Sequence, residues 1–434
     1  MAIESFLPGD VVIHQAYVGT LDNNKFMFIK DQLLRIDIYE SILSPVMFGN
    51  LTLNDNINIR DKLPIMGNEC KLVFEISVPG PTSKPRRFEF LITEILNVTM
   101  GHDAASSQYD LQFYSIEVKN NANQLRRTPL VGMPIDNSIQ MLLQDVLKST
   151  KPFVFDDEGT KGLQDLNFVG IKPFQAIDML KNQAVSKRYR SSVHVFYEGR
   201  TNDRNGFYFK PVEALINSKS NLLRDGMFFW DSDSATSVKN MTYRNILAYN
   251  HIVQESQIQL IGNGALNNQV RSTDIKTRRR TVVNFNSATD NDSFGKSKGA
   301  KPLYTASLES SNNKSPTQIY NIMKSSAMSD TFLEQKIGYA KAFITLLTQN
   351  ILRIMVYGDT YLSCGFKVRA EVPSPTGLTK DGGKQKGENS EFVSGEYLIS
   401  HARHTISKTD IDFRYFTSLE LINASYGKSG GFDT

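Results

Sequence analysis

The sequence predicts a mainly β protein with α/β insertions: an antiparallel β module at each end of the chain and a mixed α/β module between them. Three observations predict this. Alternating and β-branched segments, separated by turn residues, fill the first 125 residues. Helical spacing of apolar residues takes over from residue 126. Three short blocks of the first β region then return, in the same order, within the last hundred residues.

Composition sets the frame. The chain has 434 residues, 40% hydrophobic and 22% charged, which is globular and leaves enough apolar surface for sizeable cores. At roughly 100–200 residues per domain, two to four domains are expected. The 49 Lys and Arg against 45 Asp and Glu leave a net charge of only +4, far from the basic excess of a bulk nucleic-acid binder. Two cysteines, Cys70 and Cys364, cannot build a disulfide framework or a multi-cysteine zinc site. The first ten residues lack a basic stretch and a long apolar run, and no apolar stretch nears the ~20 residues of a membrane span. The expectation is a soluble protein made in a cytoplasm.

The elements follow in order. Residues 33–39, 71–76 and 109–118 read as strands, divided by turn signals at Pro45, Gly49-Asn50, Pro64, Gly67-Asn68 and Pro79-Gly80-Pro81. Short strands with regular turns suggest a barrel or sandwich. Residues 137–147 and 173–180 read as helices, the second opened by Pro173 in its first turn. Two aromatic strands, 193–198 and 206–209, read as a hairpin turning at Asn205-Gly206. Residues 240–262 return to β character. Residues 263–328 are rich in Gly, Ser, Asn and Lys and predict a long irregular insertion. Residues 331–347 form one amphipathic helix, with Phe332, Ile337, Ala340, Phe343, Ile344 and Leu347 near one face. The rest is β, broken by a polar stretch at 376–390.

The recurrence carries most of the information. Cys70, seven residues and Val78-Pro79-Gly80-Pro81 match Cys364, seven residues and Val372-Pro373-Ser374-Pro375. Glu89-Phe90-Leu91-Ile92-Thr93 matches Glu396-Tyr397-Leu398-Ile399-Ser400, and Ser115-Ile116-Glu117-Val118 matches Ser418-Leu419-Glu420-Leu421. The gaps between blocks differ, as hairpin loops tolerate. One β module therefore occurs twice. The two cysteines then read as equivalent buried thiols rather than as a disulfide.

Candidate chemistry is sparse. His401 and His404 are three apart, so on a strand they point to opposite faces and do not easily share an ion. Phe228-Phe229-Trp230-Asp231-Ser232-Asp233 resembles the start of a phosphatase motif. Ala235 stands where that motif needs Thr or Val, and no doubly wound sheet follows. There is no metalloprotease helix, nucleophile elbow, P-loop or dinucleotide fingerprint. No catalytic, metal-binding or cofactor-binding residue is assigned. The clearest charge cluster is Arg278-Arg279-Arg280, with Lys276, Lys296, Lys298 and Lys301 nearby. Few aromatics interleave with it, which favours a solvated loop or a protein contact over base stacking.

In this order, the segments resemble the central baseplate hub of contractile-tailed bacteriophages, to which the N-terminal half of the type VI secretion spike is related. Residues 36–53 look like the opening strands of the family's first barrel, 170–198 like its middle module and 395–421 like the closing strands of its second barrel. The resemblance implies two tail-tube-like antiparallel β-barrels plus a mixed α/β middle module. The first barrel would span 1–125 and the α/β module 126–232. The second barrel would join 233–262 to 348–427, around an insertion and helix at 263–347, with a flexible tail at 428–434. It further implies a homotrimer whose six barrels match a sixfold tail tube to a threefold spike, with baseplate wedge proteins around it and DNA passing through its lumen. Since the chain ends at Thr434 without a needle segment, the spike is expected to be a separate protein. The place implied is the virion tail baseplate, after synthesis in the host cytoplasm. The alternatives are the hub of a type VI-like injection machine and, in a different class, a tail-associated cell-wall hydrolase.

Overall fold

A computed structural model describes residues 7–423 apart from 68, 80–84, 101–105, 126–128, 167–169, 202–203, 219–221, 230–243, 254–258, 260–261, 266, 287–315, 325–331, 349, 373–378, 382–383, 387–389, 391–392 and 410–411. Among the described residues, the N-terminal module has seven strands: β1 (Val12–Thr20), β2 (Phe26–Phe28), β3 (Leu33–Ser41), β4 (Phe48–Asp55), β5 (Cys70–Ser77), β6 (Arg86–Met100) and β7 (Ser107–Ser115). They are ordered β3-β4-β7-β6-β5-β1-β2. Alternation drives their inward faces together: Ile36, Ile38, Leu51, Leu53, Phe74, Phe88, Phe90 and Phe113 share one core, with the Phe90 and Phe113 rings 4.6 Å apart. A short helix α1 (Ile59–Lys62) links β4 to β5.

The middle module holds α2 (Glu117–Asn123), β8 (Leu130–Met133), α3 (Ile135–Met141) with a π-helical turn to Val146, β9 (Phe153–Phe155), β10 (Gln164–Leu166), α4 (Pro173–Gln183), β11 (His194–Thr201), β12 (Arg204–Pro211) and α5 (Val212–Asn217). Leu130, Ile139, Leu142, Ile177, Leu180, Phe196, Phe207 and Phe209 form its core. Pro173 begins α4 as expected, and the Phe174 N–H donates to Asn121 Oδ1, 2.9 Å away.

The C-terminal module uses β13 (Leu222–Phe229), β14 (Ile246–Val253), β18 (Asn350–Tyr357), β19 (Lys367–Glu371), β22 (Gly395–Lys408) and β23 (Phe413–Asn423), ordered β14-β18-β23-β22-β19-β13. This is the order of β3-β4-β7-β6-β5-β1. The two modules are bonded together: β22 pairs antiparallel with β3, from His401 opposite Ser41 to Ser407 opposite Arg35. One 13-stranded sheet results. Its second core gathers Phe228, Leu352, Ile354, Val356, Tyr397 and Leu419 around Phe343 of α6 (Leu333–Leu347).

Several local expectations change. Residues 263–328 were expected to be irregular, yet β15 (Asn267–Asp274), β16 (Arg280–Asn286) and β17 (Gln318–Lys324) form a small sheet against α6. The inward residues of β15 are Asn268, Val270, Ser272 and Asp274, so hydropathy conceals the strand. Asn268 Nδ2 donates to Gly264 and Gly338 carbonyls, and a Cβ on Gly338 would lie 2.4 Å from Asn268 Oδ1. A short hairpin, β20 (Thr379–Asp381) and β21 (Lys384–Lys386), lies in the polar stretch 376–390. Gly49-Asn50 lies inside β4, not in a turn: a Cβ on Gly49 would sit 2.1 Å from the Asp37 carbonyl. Asn205-Gly206 lies inside β12, opposite Arg200 and Gly199, where a Gly206 Cβ would come 2.8 Å from the Pro152 carbonyl. Residues 116–118 leave the strand for α2. Residues 222–229, read as part of the middle module, pair parallel to β19 in the large sheet.

Candidate assembly interface

The two modules meet at β3 and β22, and one face of that joint is polar. Asp37 on β3 gathers the donors: Arg35 Nε at 2.7 Å, Arg403 Nε at 3.2 Å and Thr405 Oγ1 at 2.6 Å. Burial alone would raise the Asp37 carboxyl, and these donors outweigh it and hold it below its usual range. On the neighbouring strands Arg353 Nη2 lies 2.9 Å from Glu420, whose other oxygen lies 3.1 Å from His401 Nδ1. The His401 hydrogen bond and then Arg353 lower Glu420 to about 2. Tyr39, Phe48, Tyr249, Arg353, His401 and Arg403 are among the residues that line a shallow concavity of about 430 Å³ here. Arg35, Arg353 and Arg403 on this face are thus each matched to a carboxylate of the same chain.

Behind the joint lies a buried ionic cluster that locks all three modules. Arg86 of β6 donates through Nη2 to Glu40 of β3 at 2.8 Å and to Asn205 of β12 at 3.0 Å. Ser363 Oγ and the Cys364 N–H donate to Glu40 from the C-terminal module, and His404 Nε2 lies 3.5 Å away. Burial pushes the Glu40 carboxyl up; Arg86 above all reverses that and holds it at about 2. A second cluster ties the first two modules: Lys151 Nζ lies 2.7 Å from both Glu117 and Glu198, while Glu198 accepts from the Met47 N–H and Ser115 Oγ. Lys336 of α6 donates to the carbonyls of Asn182 and Ala184, both at 2.9 Å, and so closes the C-terminal end of α4.

The sequence-predicted cluster sits elsewhere. Arg278, Arg279 and Arg280 are exposed where β15 turns into β16, with Arg278 at φ 57°. They line neither the polar concavity nor a second, apolar one of about 640 Å³ beside α4. Lys296, Lys298 and Lys301, like Trp230–Asp233, lie outside the described residues. His401 faces the polar concavity, whereas His404 points inward, 2.7 Å from the Tyr415 hydroxyl. Cys70 and Cys364 are free and buried. Among the described residues, no three His, Cys, Asp or Glu side chains group to hold a metal ion, and no helix is long and apolar enough to cross a membrane. The polar-face residues escaped the sequence reading, although Arg35-x-Asp37 and His401-x-Arg403 carry a usable signal: charges two apart on strands share a face.

No protein-family model and no curated protein matches this sequence. Solved structures do. A tail protein from Neisseria meningitidis MC58 superposes with a TM-score of 0.53 at 12% identity, covering 94% of this chain and 96% of that one. This chain has the fold of phage tail proteins. The 43 kDa tail protein of prophage MuSo2 from Shewanella oneidensis matches it equally, with a TM-score of 0.53 at 8% identity over 94% of this chain and 98% of that one. A type VI secretion component of E. coli, described as similar to the T4 tail proteins gp27 and gp5, gives 0.47 at 10% identity over 97% and 78%. The tail-protein fold extends over nearly the whole chain, so the expected architecture, two β modules around a mixed α/β module, stands. Both β modules belong to it.

Proposed function

We propose that this protein is the structural hub of a phage tail baseplate: a homotrimer that joins a sixfold tail tube to a threefold, separate spike protein, with wedge proteins around it and a central channel for DNA. One observation carries the reading. A single chain holds two modules with the same strand order, set side by side through β3 and β22. Three such chains offer six near-equivalent modules, and a closed ring of them covers strand edges that are liabilities in a monomer. The charge-matched polar face suits a channel wall, because its arginines are already engaged by carboxylates and hold no phosphate. The role is mechanical, not enzymatic. Light scattering, followed by negative-stain imaging of the same peak, tests it. A mass of three chains and a threefold ring with a central hole are expected; a species that stays monomeric at every concentration overturns the proposal.

A further inference from the structure

The small sheet of β15, β16 and β17 turns one face to α6 and the other to solvent. Asn268, Val270 and Ser272 are buried on the α6 side, so Gln269, Arg271 and Thr273 face outward. The register carries that outer face across the sheet. Arg271 lies between Val282 and Asn321, Thr273 between Arg280 and Met323, and Gln269 between Asn284 and Ile319. No acidic residue falls on the outward positions of the three strands. Val282, Ile319 and Met323 are 48%, 39% and 82% exposed there, and Ile275 in the adjoining turn is 65% exposed.

The cations of this face are unmatched and held in place. Arg271 Nε donates to Gln269 Oε1 at 2.5 Å, and Gln269 Nε2 donates to Asn284 Oδ1 at 2.8 Å. That chain fixes the guanidinium, whose two Nη nitrogens have no partner among the described residues. The turn from β15 to β16 is also fixed. Asp274 Oδ1 accepts from the Lys276 and Thr277 N–H groups at 2.9 and 3.1 Å, and the Asp274 N–H donates to the Arg279 carbonyl at 2.9 Å. Arg278 holds a left-handed φ of 57°, ordinarily given to Gly or Asn. Arg35, Arg353 and Arg403 each meet a carboxylate of the chain; among the described residues Arg271, Lys276, Arg278, Arg279 and Arg280 meet none. Like charges so placed repel, and an incoming carboxylate relieves that repulsion.

We infer that this outer face docks an acidic segment of a second protein: one carboxylate is gripped by both Nη groups of Arg271, others meet the Arg278–Arg280 turn, and aliphatic side chains cover Val282, Ile319 and Met323. An oriented guanidinium matches carboxylate geometry and loses little freedom on binding. The exposed aliphatic residues select a protein, because a phosphate backbone gains nothing from them. No aromatic ring stands on the outward positions for a base to stack on. The inference goes beyond the hub reading and does not need it.

The test uses the full chain and a fluorescein-labelled peptide in which Glu and Leu alternate, read by fluorescence anisotropy. Binding is expected, weakening as salt rises, and is lost when Gln replaces Glu in the peptide. Arg271→Gln should weaken it about tenfold, and Arg271→Lys should restore little, because an ammonium keeps the charge and not the fork. Met323→Gln should weaken it several-fold through lost apolar contact. Lys25→Gln, which removes the same charge from an exposed turn of the N-terminal module, should leave it unchanged. A wild-type chain that ignores the peptide overturns the inference, as does the same affinity in Arg271→Gln as in Lys25→Gln. A duplex DNA fragment that binds more tightly than the peptide, and is lost with Arg271→Gln, overturns it in favour of nucleic acid. Each of these outcomes leaves the solution mass, and with it the hub reading, where it stood.

Discussion

Arg86 is wholly buried, and its guanidinium links residues from different modules. Arg86→Ala leaves Glu40 charged and without its main partner, and should lower unfolding stability by about 3–5 kcal/mol in urea titration. Replacing both, as Arg86→Met with Glu40→Gln, should cost clearly less, because no uncompensated charge remains. Two buried carboxyls also give opposite pH signatures. Glu40 is held at about 2 against an ordinary 4.5, so its contribution of about 3 kcal/mol is present above pH 4.5 and is lost as pH falls toward 2. Glu213 goes the other way. Burial pushes it up to about 7, so the folded state favours its proton, and stability is lost as pH rises from 4.5 through 7. Glu213→Gln should flatten that slope, read as urea midpoints at pH 4.5 and pH 8. Neither carboxyl stands out in the sequence: each is one acidic residue in an otherwise ordinary strand or helix, and the partners of Glu40 come from distant segments.

At the scale of elements, the strand edges and the polar face set behaviour. Asp37→Asn with Glu420→Gln frees Arg35, Arg353 and Arg403 from their carboxylates. The double variant should retard duplex DNA in a gel-shift assay, with affinity falling steeply as salt rises, while the wild-type chain should not. Retardation of both alike would show that the carboxylates do not silence the face. Elements whose apolar residues follow the period were legible. Strand β3, helix α4 and helix α6 fall where alternation or helical spacing places them. Elements held by close backbone approach or by buried polar residues were not. Gly49 and Gly206 sit in strands because a neighbouring carbonyl leaves no room for a Cβ, and a sequence shows the glycine but not the carbonyl. Strand β15 buries Asn268 and Ser272, which read as loop residues.

For the whole molecule, the repeat was legible and its register only partly so. The block beginning at Glu89 matches Glu396 in three dimensions: Lys71 pairs with Glu89 at 2.6 Å, and Lys367 with Glu396 at 3.6 Å. The cysteine blocks are two residues out of step, since Lys71 corresponds to Lys367, so Cys70 falls on Phe366 and not on Cys364. The block at Ser115 ends β7, whereas Ser418 lies mid-strand in β23, so that match reflects shared β composition alone. The internal joint also has a consequence for how the chain is made. Arg403 and Asp37 are 366 residues apart. At about 5–20 residues per second, β3 leaves the ribosome roughly 20–70 s before the strand that covers it. Throughout that interval the nascent N-terminal module carries β3 as an open edge, so a translating polysome presents many identical open edges side by side, and the speed of synthesis sets how long each is open to a wrong neighbour.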